Sequence, residues 1–285
     1  MVVRSRGVFS GFVSRPLPVY CVFPMNDLPV ALSIAGSDSG GGAGVQADLL
    51  TFAANGVFGT TAITCLTAQN PDGVSGVSAV APEFVVEQAR QVLDFFAVRA
   101  VKTGMLLDTP IIEAVAELLG GRRGLPLVVD PVMVATSGAA LLKPEAVAAV
   151  GGKLLPLAAL VTPNLDEAAV LLGYRPETPA AMRAGALELA KRFGVPFLVK
   201  GGHLGGAELV DELAWPDGTG ERWVGRRIDG IDTHGSGCTL SSAIAAHLAR
   251  GLPLVDAVAA GRAYLRLGME RAVAVGGRRF IAHLV

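Results

Sequence analysis

The sequence has few cysteines, few aromatic residues and no block of charge of one sign. Its 285 residues include three cysteines and 6% aromatic residues, and 24 basic side chains nearly balance 25 acidic ones. Without a basic surface, nucleic-acid binding is not indicated. The widely spaced Cys21, Cys65 and Cys238 predict neither a disulfide framework nor a zinc cluster, and they favour a reducing cytoplasm. Scarce aromatics beside abundant Ala, Val, Leu and Gly favour helices on a buried parallel sheet over a β-sandwich.

A continuous apolar run of the kind that crosses a membrane is also missing. The uncharged stretch 49–71 is long enough, but it contains side-chain amides and several threonines. We therefore predict the end of a helix, a turn at Gly56 and a buried strand. Residues 1–26 carry three arginines and no unbroken apolar core, which argues against a signal peptide. We expect a disordered extension, with Met25 as an alternative start and a weak targeting segment as the other interpretation.

Apolar runs alternate with amphipathic ones over most of the chain. Strands are predicted at 30–35, 60–66, 100–104, 126–130, 159–163 and 196–202, and helices from 44 and at 82–95, 109–119, 144–151, 165–172 and 179–193. A hairpin at 209–215 and 221–228 and two helices at 236–250 and 253–273 complete the chain. This alternation predicts an α/β fold: one domain over 27–285, with a mostly parallel sheet and helices on both faces.

Six loops follow the predicted strands or precede the first closing helix. They read GSDSGGGAG, KTGM, DPVM, TPNLDE, KGGH and THGSGCT. In open parallel sheets the ligand binds beyond the carboxyl ends of the strands. These loops hold most of the distinctive polar residues of the chain, so the functional site is expected there.

The first loop, GSDSGGGAGVQAD, is rich in glycine but lacks the Lys-Ser/Thr of a P-loop and the glycine spacing of dinucleotide folds. One interpretation is a plain strand-to-helix connection. The other is a backbone that closes over a small substrate, with Gln46 pointing in. A glutamine amide matches the amino group and ring nitrogen of an aminopyrimidine, as it matches adenine in DNA.

Asp130 and Glu167 follow two predicted strands at the same edge. Two carboxylates suit Mg²⁺, which needs only one or two protein oxygens. The alternatives are a strand-ending turn for Asp130 and a helix-dipole partner for Glu167. Lys200, next to two glycines, is a candidate phosphate contact, or an ordinary surface lysine.

The segment THGSGCTLSSAIAAHLA places Cys238 where a helix begins. Free N–H groups of Gly235, Ser236 and Gly237 predict an anion hole. The same field predicts a lowered pKa for Cys238, which makes it a candidate base or nucleophile. His234 is the adjacent candidate partner, and a small buried helix cap is the alternative role for the cysteine.

The motifs AGSDSGGGAGVQADL, TAITCLTAQN, VKTGML, VVDPVM, TPNLDEAAVLLG, LVKGGH and DTHGSGCT resemble, in order, those of the hydroxymethylpyrimidine and phosphomethylpyrimidine kinases within the ribokinase superfamily. The resemblance covers residues 29–262. It implies a three-layer ribokinase-like fold, a homodimer and two successive phosphorylations that lead to thiamine.

The resemblance also assigns residues to the site. It places the pyrimidine against Gln46 and beneath Met105, in the loop that contains Gly36 and Asp38. It places ATP and Mg²⁺ across four residues, Asp130, Glu167, Lys200 and Thr233. It places the transferred phosphoryl group in the anion hole formed by Gly235, Ser236 and Gly237. Cys238 stands where most of the superfamily has an aspartate base.

Two segments depart from the family pattern. The sequence TAQNPDGV (67–74) differs in a loop expected over the substrate, and the tail ERAVAVGGRRFIAHLV lacks the expected glycine- and histidine-rich ending. Three alternative functions remain at this point. They are a pyridoxal or pyridoxamine kinase, a non-catalytic pyrimidine-binding regulator, and a cysteine hydrolase that uses Cys238 with His234.

Overall fold

A computed structural model describes residues 27–122, 124–133, 144–202, 204 and 208–285. The predicted extension 1–26 lies outside the described residues, and the single domain predicted over 27–285 stays a prediction. One large sheet consists of β1 (Val30–Asp38), β2 (Phe58–Asn70), β3 (Gly73–Ala79), β4 (Val98–Thr103), β5 (Leu127–Val129), β6 (Leu160–Val161), β7 (Phe197–Lys200), β8 (Glu208–Ala214) and β9 (Gly220–Arg226).

The strand order in this sheet is β3-β2-β1-β4-β5-β6-β7-β8-β9. The strands from β2 to β7 in this order run parallel, and β3, β8 and β9 are antiparallel additions at the two ends. The mostly parallel sheet and the β8–β9 hairpin predicted from the sequence are therefore confirmed. Buried parallel strands explain the continuous apolar runs, because both faces of such a sheet are covered.

Helices cover both faces of the sheet. They are α1 (Gly44–Ala54), α2 (Pro82–Phe95), α3 (Thr109–Gly120), α4 (Pro144–Ala149), α5 (Leu165–Leu172), α6 (Pro179–Phe193), α7 (Ser236–Ala249) and α8 (Leu254–Glu270). One apolar cluster joins the sheet to α2 through α6, and a second joins it to α1, α7 and α8. The predicted three-layer α/β architecture is confirmed.

Several helix boundaries follow from local chemistry. Asp108, Asn164 and Thr178 cap α3, α5 and α6 by accepting hydrogen bonds from backbone N–H groups of the first turn. The helices α2, α3 and α6 also carry proline in the first turn, where its missing N–H costs nothing. The ranges predicted for α2, α5 and α6 match the structure.

Three short strands were not predicted. All of β3 is exposed, and its glycine- and serine-rich sequence has no apolar alternation, so pairing with β2 alone defines it. The other two, β10 (Val273–Val275) and β11 (Arg278–Phe280), form an antiparallel hairpin after α8. Gly276 and Gly277 in its turn have φ of +57° and +82°, the geometry that Gly-Gly favours. The last helix therefore ends at Glu270 and not at residue 273.

The stretch 49–71 forms the end of α1, a turn at Gly56 with φ of +71°, and β2. Within the described ranges, no helix has both the length and the apolar content needed to cross a membrane.

Candidate active site

The loops that follow the parallel strands meet at one edge of the sheet. Asp130, after β5, accepts a hydrogen bond from Lys200 Nζ, at the end of β7, at 2.9 Å. Asn164, after β6, forms a backbone bridge with Lys200. On the β1 side, Asp38 Oδ2 lies 2.9 Å from Nε2 of His234, just before α7. The structure thus brings together the loops that the strand pattern predicted.

The start of α7 depends on Gly235. Its φ is +79°, and a Cβ at this position would lie 1.8 Å from the carbonyl oxygen of Gly42. The backbone of the first glycine loop therefore packs directly on this turn, and no larger residue fits there. The N–H of Ser236 donates to the carbonyl oxygen of the exposed Thr233 at 3.0 Å. Ser236 can serve the predicted anion hole only when that turn opens.

Gly237 places the first turn of α7 against the Asp130–Lys200 ion pair. A Cβ on Gly237 would lie 3.3 Å from both Asp130 Oδ2 and Lys200 Nζ. The predicted anion hole and the predicted nucleotide contacts are therefore neighbours. A helix N-terminus and a lysine cation at the same place both favour a bound anion.

Asp130, Lys200 and Glu167 form a charged cluster. Asp130 Oδ1 accepts from Lys200 Nζ at 2.9 Å and from Thr162 Oγ1 at 3.1 Å. Burial acts to raise the pKa of Asp130, but Lys200 and Lys102 outweigh it and the pKa is lowered. Burial raises the pKa of Glu167 to about 8, against the opposing charge of Lys200. Glu167 is thus a carboxyl group that a further cation would ionise.

Glu167 also has a structural role at the start of α5, as a capping residue and not as the charged helix-dipole partner of the alternative interpretation. Its Oε2 accepts from the N–H of Asn164 at 2.8 Å, and Asn164 Oδ1 accepts from the N–H of Glu167 at 2.9 Å. This reciprocal pair is a capping box at the start of α5. The described residues contain no group of three or more His, Cys, Asp or Glu side chains that could hold a metal. The two hard carboxylates, Asp130 and Glu167, fit Mg²⁺, which takes one or two protein carboxylates and keeps several waters.

Cys238, in the first turn of α7, is partly exposed but surrounded by protein on most sides. The N-termini of α1 and α7 lie together here, since a Cβ on Gly235 would lie 3.2 Å from Cα of Ala43, and the backbone N–H of Gly44 acts to lower the pKa of the thiol. The predicted lowering of its pKa is nevertheless wrong. Burial raises the pKa of the Cys238 thiol to about 11; Asp48 and Asp130 add to the rise, and Lys102 opposes it. The partial charges of two helices are weaker than the cost of desolvating a thiolate, so the thiol is protonated at neutral pH.

Gln46, predicted to contact the substrate, points its amide at the end of β1. Its Oε1 accepts from the N–H of Asp38 at 2.9 Å, and its Nε2 donates to Ser37 Oγ at 2.8 Å. These two bonds fix the orientation of the amide and leave one N–H and one lone pair for a ligand.

Gly36 and Met105, also predicted at the substrate, are in contact. A Cβ on Gly36 would lie 2.8 Å from both Met105 Cε and Cys65 Sγ. The missing side chain therefore lets Met105 lie directly on the backbone of the first loop.

Asp38 shapes this loop. Its carboxylate accepts from the N–H of Gly40 at 2.8 Å and from that of Ala43 at 2.9 Å, and its Oδ2 lies 2.9 Å from His234 Nε2. Burial acts to raise the pKa of Asp38, but His234 and the two N–H groups outweigh it. The hydrogen bond to Asp38 raises the pKa of His234. The imidazole contacts Asp38 and Gln69, and no hydrogen bond among the described residues joins it to Cys238, so the Cys–His pair that a cysteine hydrolase would need is not formed.

The two segments that depart from the family pattern contact each other. Arg278 of β11 forms an ion pair with Asp72, and its Nη1 donates to the carbonyl oxygen of Pro71 at 3.0 Å. The carbonyl oxygen of the next residue, Arg279, accepts a hydrogen bond from the N–H of Asp232 at 2.8 Å. The unusual tail therefore holds the unusual β2–β3 turn and the loop before α7.

Sequence reasoning missed two buried ionic residues behind the site. Lys102 Nζ lies 2.9 Å from both carboxylate oxygens of Asp48, and both side chains are fully buried. Lys102 stands inside the apolar run AVKTG, and a lysine in a buried strand is the signal that could have identified it.

The sequence matches the family model described as Phosphomethylpyrimidine kinase over residues 38–282. A hydroxymethylpyrimidine/phosphomethylpyrimidine kinase of Rhizobium meliloti is 52% identical over 244 residues, which are 85% of this chain and 91% of the relative. The Escherichia coli enzyme of the same name is 42% identical over 244 residues, with 85% and 91% covered.

Solved structures agree. A phosphomethylpyrimidine kinase of Clostridium difficile superposes with a TM-score of 0.74 at 39% identity, covering 84% of this chain and 98% of that one. A Bacillus subtilis pyridoxal kinase in complex with ADP superposes with a TM-score of 0.83 at 34% identity, covering 90% and 98%.

Fold and site together define a ribokinase-like phosphotransferase of small molecules. More specifically, the chain belongs to the phosphomethylpyrimidine kinase family, since the family model covers most of it and several relatives exceed 40% identity. The kinase predicted from the sequence is confirmed, and the names of the relatives favour the pyrimidine kinase over the pyridoxal kinase alternative. Membership of this kinase family also argues against the other two alternatives, the non-catalytic pyrimidine-binding regulator and the cysteine hydrolase.

Proposed function

We propose that this site uses ATP to phosphorylate 4-amino-5-hydroxymethyl-2-methylpyrimidine, and then the resulting monophosphate, to form the pyrophosphate used for thiamine. The observation that carries the proposal is the meeting of the Asp130–Lys200 pair with the start of α7, where Cys238 lies. The ADP complex of the Bacillus subtilis relative supports a nucleotide as the other substrate.

Binding of the phosphates relies on positive charge that the chain already holds in place. Lys200 is held by Asp130, and the N-terminus of α7 packs against this pair. Phosphoryl transfer passes through a loose transition state, so positioning and charge stabilisation supply most of the catalysis. Lys200 and the N–H groups of Gly235 and Gly237 would hold the phosphoryl group in line with the substrate hydroxyl, with Thr233 at the rim of this turn.

Asp130 and Glu167 are the residues that would hold Mg²⁺ in this site. When bound, the ion would neutralise charge on the phosphate oxygens. The raised pKa of Glu167, about 8, means that its carboxyl group would lose its proton when a cation approaches, because an adjacent positive charge favours the ionised form. Asp130 is held as a carboxylate by Lys200 and Thr162.

Cys238 would take the proton of the substrate hydroxyl. In this step the hydroxyl oxygen forms a bond to the γ-phosphorus, the bond from that phosphorus to the ADP oxygen breaks, and the proton passes to the thiolate of Cys238. The ADP oxygen keeps the electron pair. A raised thiol pKa makes the thiolate a strong base but a minor species at neutral pH, so the rate depends on the thiolate population.

The direct test is ADP release by the purified chain with Mg²⁺ and ATP. We expect turnover with the hydroxymethylpyrimidine and with its monophosphate, offered separately. Turnover of pyridoxal alone would transfer the assignment to vitamin B6 salvage, and silence with all three substrates would contradict the proposed kinase activity. Omission of Mg²⁺ should abolish ADP release, and full activity without a divalent ion would remove Asp130 and Glu167 as metal ligands.

Gln46→Leu should raise KM for the pyrimidine by about tenfold or more, because the leucine removes one donor and one acceptor from a polar contact. Since the ring of pyridoxal lacks the aminopyrimidine edge, any activity with pyridoxal should fall less. Steady-state kinetics with both substrates measure this. Gln91→Leu, on the outer face of α2, is the matched control and should change neither. An equal fall for both substrates would assign Gln46 to loop structure through Asp38 and Ser37.

We also infer a homodimer formed through the β2–β3 hairpin. Three apolar side chains there, Leu66, Val74 and Val77, are each about half exposed, at 52%, 51% and 51%, and β3 is an edge strand. An exposed apolar edge of this kind is open to pairing with a second copy. Light scattering should give about twice the chain mass of 29.2 kDa, and a monomer would contradict the inference. The cytoplasmic location expected from the cysteines stays a prediction.

A further inference from the structure

Behind the candidate site lies a buried ion pair that no step of the proposed reaction uses. The side chains of Lys102 and Asp48 have no solvent exposure, and Lys102 Nζ lies 2.9 Å from each oxygen of Asp48. Burial acts to lower the pKa of Lys102, but Asp48 outweighs it, so the lysine is charged. A Cβ on Gly104 would lie 2.8 Å from Nζ. The chain therefore leaves room for this cation.

Asp48 joins four elements at one point. Besides Lys102 of β4, it accepts from Ser33 Oγ of β1 at 2.5 Å and from Ser242 Oγ of α7 at 2.7 Å. Asp48 itself belongs to α1. Each hydrogen bond that a buried carboxylate accepts fixes the position of the group that donates it. The Lys102–Asp48 pair therefore connects α1 and α7 with the central strands β1 and β4.

The Lys102–Asp48 pair contacts both helices close to the groups proposed to react. Asp48 follows Gln46 by two residues on α1, and Ser242 follows Cys238 by four residues, one helical turn, on α7. The substrate-side helix and the phosphoryl-side helix are therefore held to the same carboxylate. A shift of either helix would move Gln46 relative to Cys238.

The pair also contributes charge. Among the charges around Cys238, Lys102 has the largest effect in opposing the rise of the thiol pKa, while Asp48 and Asp130 add to that rise. Among the described residues, Lys200 is a further cation near the thiol. The charge around Cys238 therefore changes when Lys102 or Asp48 is neutralised.

We propose that Lys102 is a positioning residue of this kinase: with Asp48 it holds the starts of α1 and α7 in register, and its charge favours the thiolate of Cys238. This rests on the proposed function, in which that thiolate accepts the hydroxyl proton. Lys102 acts through Cys238 and Asp48, and touches neither substrate.

The test compares Lys102→Met, Asp48→Asn and the double variant. Alkylation of Cys238 by iodoacetamide is followed by peptide mass spectrometry from pH 7 to pH 10, because only the thiolate reacts. We expect about tenfold slower alkylation in Lys102→Met and faster alkylation in Asp48→Asn, since about one pKa unit corresponds to tenfold. The buried Cys65 in the same digest reports general opening of the fold.

Opposite shifts in the two single variants would support the proposal, because a purely structural role would move both in the same direction. Shifts of the same sign, or no shift, would overturn it. If the single variants do not fold, the double variant decides: Lys102 has more influence than Asp48, so Cys238 should still react more slowly than in the unmodified chain. An unchanged or faster rate would overturn the proposal.

Steady-state kinetics give the second readout. Lys102→Met should lower kcat about tenfold or more, with KM for the pyrimidine within about twofold, because the charge acts on the base and not on substrate binding. An unchanged kcat would also overturn the proposal. Failure of the unmodified chain to release ADP would contradict the proposed function instead, and the alkylation rates would still report the effect of Lys102 on Cys238.

Discussion

Cys238→Ala should lower kcat by about 10²–10⁴, the contribution of a positioned general base, while KM for the pyrimidine changes little. The thiol lies in the first turn of α7, beside the N-terminus of α1. The base acts in the transition state and not in substrate binding. Initial rates of ADP release over a range of pyrimidine concentrations measure both constants. An unchanged kcat would remove Cys238 from the mechanism and leave the helix N-terminus as the catalytic device.

The pH dependence of the same step has a definite sign. Because the pKa of Cys238 is raised, to about 11, the thiolate fraction increases about tenfold per pH unit below that value. The kcat of the unmodified chain should therefore rise from pH 7 toward pH 9. Cys238→Asp, which introduces the base that the superfamily usually carries, should keep activity and flatten this rise. Parallel pH profiles for the two proteins would assign the rise to another group.

The elements that could be predicted from the sequence are those whose signals are local. Proline or a capping side chain marks the start of α2, α5 and α6, and the apolar runs mark the central strands. The strand β3 could not be predicted, since only its pairing with β2 defines it. The Gly276–Gly277 hairpin turn carries a local signal that was overlooked.

The residues of the candidate site also divide into those with a local signal in the sequence and those without one. The rule that ligands bind at the carboxyl ends of parallel strands placed Asp130, Glu167 and Lys200 at one edge. Contacts between distant parts of the chain were invisible: Asp38 with His234, and Asp48 with Lys102. The direction of the Cys238 pKa was wrong for this reason, because the helix field is local but burial depends on tertiary packing.

Gly235→Ala should be the most damaging single-methyl change in the site. The new Cβ would lie 1.8 Å from the carbonyl oxygen of Gly42, at a φ of +79°. The contact is with backbone, so the start of α7 and the first glycine loop must move apart. A displacement of about 1 Å at reacting groups can cost about 10²-fold in rate. We therefore expect kcat/KM to fall by about 10² or more.

Gly251→Ala is the matched control, because Gly251 follows the other end of α7. Its φ is +88° and a Cβ there would meet no atom within 4 Å. Both variants carry the left-handed backbone cost of about 1–2 kcal/mol, but only Gly235→Ala adds the clash. Urea unfolding should show a loss of stability in both, larger in Gly235→Ala, whereas kcat/KM should fall only in Gly235→Ala. Equal loss of activity in both variants would mean that α7 stability controls the rate, and not the contact between the two loops, since the clash is the feature that distinguishes them.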